Sequence, residues 1–321
     1  MKRRSVLAAA TGWAVAPALR AQTGWPAKPI VLVVPFAPGG IADITARTVA
    51  EAMGPALGQT IVIDNRPSAG SIVASSLVAK AAPDGYTLLM MSNANAIGTG
   101  LFRKLPFDVV RDFAPITTLG FFDLGLFVGS ASRFRSLQEV IAHAKAHPGK
   151  LTIGSIAVGS TQHLAAELFK TRAGIDALVV PYKGTPAVLT ALRAGEIDLA
   201  FEILGPMLAQ VNAKAISVLA VTSEERWAGL PEVPTVIESG VAGYSVQSWN
   251  ALAAPSGTPP AVIERLNRAA HEAIALAAVR RHLQELGVRP QAGTPKQLEA
   301  LLAGEIKRWG EVIRAAKIAP E

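Results

Sequence analysis

The stretch Ile30-Val31-Leu32-Val33-Val34-Pro35-Phe36-Ala37-Pro38-Gly39-Gly40-Ile41-Ala42-Asp43 begins as an unbroken apolar run, turns through two prolines and two glycines, and opens a segment of helical period. A run apolar at every position, rather than at alternate ones, is expected of a strand covered on both faces, as in a sheet sandwiched by helices. The same alternation continues along the chain. Further strands are expected at Thr60–Asp64, Tyr86–Met91, Leu124–Val128, Leu151–Ile156, Ala177–Tyr182, Ile197–Ile203, Ile216–Thr222 and Asn250–Ala254, with helices between them. This order predicts an α/β architecture with parallel sheets, and so many strands suit two sheets better than one. Helix starts carry their own signals. Ser136 with Glu139 and Thr294 with Gln297 fit capping boxes, and Thr258-Pro259 and Thr294-Pro295 place a cap residue before a proline. The last helix repeats an apolar face at Leu298, Leu301, Leu302, Ile306, Trp309, Val312 and Ile313.

Working outward, 321 residues at 50% hydrophobic content allow two domains with sizeable cores. There is no cysteine, which excludes disulfides, a thiolate nucleophile and thiolate metal sites. Four of the basic residues (Lys2, Arg3, Arg4 and Arg20) precede residue 22, and without them the formal +7 falls to +3. The basic start, the apolar run from Val6 to Leu19 and Ala21 read as an export signal over residues 1–21, although Leu19 is large for its place before the cleavage site. Arg3-Arg4 leaves both the Sec and the twin-arginine routes open. The remaining positive balance favours an anionic ligand, while the lack of basic runs interleaved with aromatics argues against nucleic acid.

Two segments have the chemistry of a binding site. Phe36, Pro38, Gly39 and Gly40 lie between a strand end and a helix start, with Asp43 just inside the helix. Glycines let a ligand approach the main chain, and the unpaired N–H groups of a helix start attract an anion; a plain tight turn would need the same glycines. Ser155, Gly159, Ser160, Thr161 and His163 repeat the arrangement after a later strand. Ser160 could serve as an N-cap or face a ligand, and His163 could donate to a carboxylate or be structural. His143 and His147 fit a basic helix end better than a metal site. No G-x-S-x-G, H-E-x-x-H, G-x-G-x-x-G or Walker sequence is present, so no cofactor or metal is expected.

Motifs spread over almost the whole chain resemble those of the Bug family, the extracytoplasmic receptors of tripartite tricarboxylate transporters. They are Val33–Asp43, Asp64-Asn65-Arg66-Pro67, Ala79–Leu88, Lys104–Pro115, Gly149-Lys150-Leu151, Val180–Gly184, Leu219–Ser223, Leu230–Thr235 and Ala254–Pro259. The resemblance implies a two-lobed periplasmic binding protein of the type II arrangement, with two crossovers near residues 118–128 and 245–255. It implies one lobe from residues 22–122 plus 248–321, and a second from 123–247. It further implies that a small carboxylate is held between the lobes, mainly by main-chain N–H groups and small side chains. To the residues above it adds Ser71, Asn93, Tyr182, Lys183, Gly184 and Glu202 as facing the cleft. Membrane subunits of a tripartite transporter are the implied partners of a monomeric receptor. A sensor presenting its ligand to a membrane kinase and an exported hydrolase are the alternatives. Two departures from the family pattern stand out. Pro67-Ser68-Ala69-Gly70-Ser71 replaces Pro-Gly-Ala-Gly-Gly, and Glu202-Ile203 replaces Asp-Asn, which alters the size and polarity expected of the cleft.

Overall fold

β1 (Ile30–Val34) has Ile30, Leu32, Val33 and Val34 buried, as an apolar run between two helical layers should. It is the inner strand of a parallel trio with β2 (Ile61–Asn65) and β3 (Thr87–Ser92), Val31 standing opposite both Val62 and Thr87. The computed structural model describes residues 24–320; the expected export segment, residues 1–21, lies outside them. α1 (Ile41–Leu57) returns from β1 to β2 and ends on Gly58, whose φ of 73° closes the helix in the left-handed region. α2 (Ile72–Ala79) and α3 (Asn93–Leu101) follow β2 and β3.

β4 (Phe113–Gly129) then leaves the first sheet for the second. Its first part pairs antiparallel with β9 (Gln247–Pro255), from Phe113 opposite Pro255 to Asp123 opposite Gln247. Its second part pairs antiparallel with β7 (Leu199–Ile203), from Leu124 opposite Ile203 onward, and with β8 (Ile216–Val221) on its other edge. β5 (Leu151–Ile156) runs parallel to β6 (Ala177–Tyr182) and to β7. The helices of this part are α4 (Leu137–Ala146), α5 (Thr161–Ala173), α6 (Thr185–Ala194) and α7 (Leu204–Asn212). After β9 the chain is back in the first sheet with α8 (Pro260–Ala275), α9 (Ala277–Glu285), β10 (Val288–Pro290) and α10 (Pro295–Ala315). The fold is the two-lobed α/β arrangement with two crossovers.

Thr222 clasps the two crossings together. Its hydroxyl accepts from the Leu124 N–H at 3.0 Å and donates to the Val246 carbonyl at 2.7 Å; its own N–H and C=O bond Leu124 and Val246. Beside it Gln247 donates to Asp123 at 2.6 Å.

The expectation of wholly parallel sheets needs correction. β9 and β4 are antiparallel to their neighbours, because an apolar run records burial on both faces and not direction. β4 is longer than the expected Leu124–Val128 and β10 was not expected. The Thr294–Gln297 capping box forms in both directions. Ser136 accepts from the Glu139 N–H, but the Glu139 carboxylate turns to the Arg135 N–H instead of closing the box. Thr258 does not cap its helix: its hydroxyl donates to the Pro255 carbonyl at 2.7 Å, and the helix begins at Pro260.

Candidate functional site

The loop after β1 is held from beneath. Gly39 adopts φ 82°, which favours glycine, and its N–H donates to Asp43 Oδ2 at 2.9 Å. Asp43 also receives Arg47 Nε at 3.0 Å and Asn65 Nδ2 at 2.9 Å, and the same Asn65 amide donates to the Phe36 carbonyl. Burial alone would raise the Asp43 carboxyl, but the bonds from Arg47, Gly39 and Asn65 outweigh it and hold it below the usual range. Asp43 is therefore spent on fixing the loop, while Ala37, Pro38, Gly39 and Gly40 stay exposed. Gly40 is the N-cap of α1 and has no side chain to satisfy the helix start. The first helical bond runs from the Ile44 N–H to the Gly40 carbonyl, so the N–H groups of Ile41 to Asp43 have no helical acceptor. With φ −81° and only the Ala37 carbonyl within 4 Å of a Cβ, Gly40 is not demanded by the backbone.

In the second lobe, Ser160 caps α5. Its hydroxyl accepts the His163 N–H at 3.1 Å and donates to the Ile156 carbonyl. It is thus paired with the backbone of His163, not its ring, which is no arrangement of nucleophile and base. Burial pushes the His163 imidazole down, Glu167 acting in the opposite sense, and Nδ1 has no protein partner. Ser155 is fully buried, and its hydroxyl donates to the Ile156 carbonyl. Glu202, at the carboxyl end of β7, is 0% exposed. Its Oε2 accepts from Gln162 Nε2 at 3.3 Å and from Thr185 Oγ1 at 3.0 Å, while Oε1 has no partner. Burial pushes this carboxyl up to about 7, with the bonds from Gln162, Thr185 and the Ile203 N–H acting against it.

The two lobes touch at points flanking these loops. A Cβ on Gly159 would run into the end of the Leu101 side chain of α3, and the φ of 78° at Gly159 favours glycine whatever that side chain does. One on Gly205 of α7 would meet the Leu286 carbonyl at 2.0 Å and Ile41 Cδ1 of α1 at 3.6 Å. Asn93 donates to the Gln247 carbonyl at 3.0 Å, and its own Oδ1 is unpaired. Ser71 has φ 58°, a left-handed conformation unusual for a non-glycine residue, and its buried hydroxyl has no protein partner. Thr45 Oγ1 and both amide atoms of Asn250 are also buried and unpaired. Most buried polar groups in proteins find partners. Here most of the exceptions lie near the carboxyl ends of β1 to β3 and of β5 to β7, where α/β sheets bind ligands, whereas Trp25 Nε1, packed on Tyr86 at the opposite end of β3, and Trp249 Nε1 of β9 are buried and unpaired as well. Open grooves elsewhere, such as the one of about 780 Å³ lined by Asp123, Trp227, Gln247 and Arg289, lack this concentration.

Of the expected residues, Tyr182 is half-buried near Gly154, Gly184 is the N-cap of α6, and Lys183 is exposed. Sequence reasoning missed Arg47 and Asn65, which hold Asp43, and Gln162 and Thr185, which hold Glu202. Gln162 and Thr185 sit at helix starts beside residues already singled out, which was the available signal. Among the described residues no group of three His, Asp or Glu side chains is placed to hold a metal, and no helix is long and apolar enough to cross a membrane.

Comparison with known proteins adds to this geometry. Residues 45–318 match the family described as the tripartite tricarboxylate transporter family receptor. Protein BugT of Bordetella pertussis is 36% identical over 292 residues, covering 90% of each chain. An R. palustris protein solved with adipate superposes with a TM-score of 0.83 at 35% identity, over 93% of this chain and all of that one. MatC from Rhodopseudomonas palustris, solved with bound malate, gives 0.77 at 31%, over 90% and 100%.

Proposed function

The chain belongs to the tripartite tricarboxylate transporter receptor family, and on that premise we propose that it captures a small carboxylate between its lobes and delivers it to the membrane subunits of such a transporter. The observation that carries the reading is the bare start of α1 at Gly40, an anion-binding helix end whose loop is locked by a paired Asp43. The relatives solved with adipate and malate support a carboxylate as the ligand class. The first lobe is residues 22–122 with 248–321 and the second 123–247, consistent with Asp123 and Gln247 being the last pair between β4 and β9. The site comprises the Phe36–Gly40 loop, Ser71 and Asn93 from the first lobe, and Gly159, Thr161, His163, Tyr182 and Glu202 from the second. Ser155 and Ser160 shape it more than they touch the ligand, since their hydroxyls are engaged by the backbone. The receptor is monomeric, exported with loss of residues 1–21, and not catalytic. A thermal-shift screen against dicarboxylates, tricarboxylates, amino acids and aromatic acids tests this, because a ligand that binds only the folded state raises its apparent stability. At least one carboxylate should raise Tm and be recovered chemically unchanged. No response across the panel, or conversion of the ligand, would overturn the reading.

A further inference from the structure

We infer that Glu202 makes the second-lobe end of the cleft a hydrogen-bond-accepting subsite, which selects a carboxylate ligand whose far end carries a donor (an ammonium, an amide or a hydroxyl) over a matching diacid. The inference rests on the proposed carboxylate-binding function and deepens it. Glu202 stands where β7 ends, opposite Gly125 of the crossing strand β4. Side chains from the starts of two helices reach the same oxygen, Gln162 from α5 and Thr185 from α6. A carboxyl group of the protein itself, fully buried, thus stands beside both helix starts and is bonded by a side chain from each.

The other carboxyl oxygen of Glu202, Oε1, is buried and has no hydrogen-bond partner. The neighbouring Ile203 leans on the apolar cluster that Phe36 and Ile41 of the first lobe also join, so this strand end lies at the junction of the lobes. No cation is bonded to Glu202: both side-chain partners are neutral, His163 on α5 is held toward its neutral form by burial, and Lys183 on the loop before α6 is exposed. A second ligand carboxylate directed at this point would meet like charge in a poorly solvated setting, whereas a donor would complete the bonding of Oε1.

The test is titration calorimetry near pH 8.5, where Glu202 is mostly ionised, with length-matched pairs: succinate against 4-aminobutanoate, and adipate against 6-aminohexanoate. In at least one pair the donor-ended acid should bind the wild type about tenfold or more tightly than the diacid, and Glu202→Gln should abolish or reverse that ratio. Glu202→Asp, which keeps the charge but draws it back, should leave an intermediate ratio and serves if the Gln variant does not fold. Diacids that bind the wild type as well as their partners in both pairs, no binding by any of the four acids while another carboxylate of the panel binds, or a ratio unchanged by both substitutions, overturns the inference while leaving carboxylate capture intact. Absence of binding by every acid in both this set and the thermal-shift panel would instead remove the function on which it rests.

Discussion

Replacing Glu202 by Gln should make the protein more stable in alkaline solution, and the size of the gain follows from the burial of the carboxyl. Its ordinary value of 4.5 is raised to about 7 in the fold, chiefly because ionisation in a buried site is unfavourable. Between those values the folded chain holds a proton that the unfolded chain has released. Stability is therefore full below about pH 4.5 and is lost as pH rises through about 7. At about 1.4 kcal/mol per unit, the loss reaches about 3 kcal/mol. Gln keeps an oxygen for Gln162 and Thr185 and places an uncharged amide where Oε1 has no partner. The assay is urea unfolding of wild type and variant at about pH 5 and pH 8.5, followed by circular dichroism. Asp123 and Glu305, also raised by burial, contribute to both proteins and cancel in the difference. Because about 0.8 kcal/mol is already lost at about pH 5, the wild type should lose about 2.5 kcal/mol more than the variant between the two conditions. Equal losses, within about 0.5 kcal/mol, would refute the claim that Glu202 is a desolvated carboxyl bonded to neutral groups alone.

Asp43→Asn should destabilise the protein by about 1–3 kcal/mol near neutrality, since it weakens charge-assisted bonds to Arg47 and Gly39. Because the Asp43 value is lowered by folding, the deficit should shrink as pH falls through it, which urea titrations at two acidic pH values would check. Thr222→Val removes the hydroxyl joining both crossings and should cost about 1–3 kcal/mol in the same assay; an unchanged midpoint would show that the clasp contributes nothing. Ser71→Gly relieves a left-handed backbone and removes a buried unpaired hydroxyl, so Tm should rise, by an equivalent of about 1 kcal/mol. A fall in Tm would mean that the Ser71 hydroxyl has a stabilising role that its contacts do not reveal.

Much of this architecture is legible in the chain. The run from Ile30 ends as a strand at Val34, the glycines after it form the exposed loop, and Ser160 and Thr294 cap the helices their positions indicate. Strand direction is not legible, because Ala251–Ala254 is apolar for the same reason in either orientation. The first half of β4 escapes detection because Pro115, Thr117, Thr118 and Gly120 interrupt its apolar pattern, and bulges accompany the break. Thr258 misleads because a hydroxyl before proline can bond backward to a carbonyl as readily as it caps a helix. The site shows the same division. Glycine-rich helix starts are local and can be read. The partners of Asp43 and Glu202 come from 4 to 40 residues away, and nothing in the spacing of Asn65 or Gln162 reveals which carboxylate each will meet.

The central claim is that main-chain N–H groups at the start of α1 hold the ligand carboxylate, and Gly40 permits a direct test. Its backbone is ordinary and a Cβ would meet nothing closer than 3.8 Å, so Gly40→Val should fold like the wild type while filling the space the ligand needs. Arg66, bonded to Asp64 at the surface, should be dispensable for binding. Titration calorimetry with the acid identified by thermal shift should show Gly40→Val losing affinity by about a hundredfold or more, with Arg66→Ala within a few-fold of wild type. If Gly40→Val binds like wild type while Arg66→Ala abolishes binding, a side-chain ion pair and not the helix start holds the ligand.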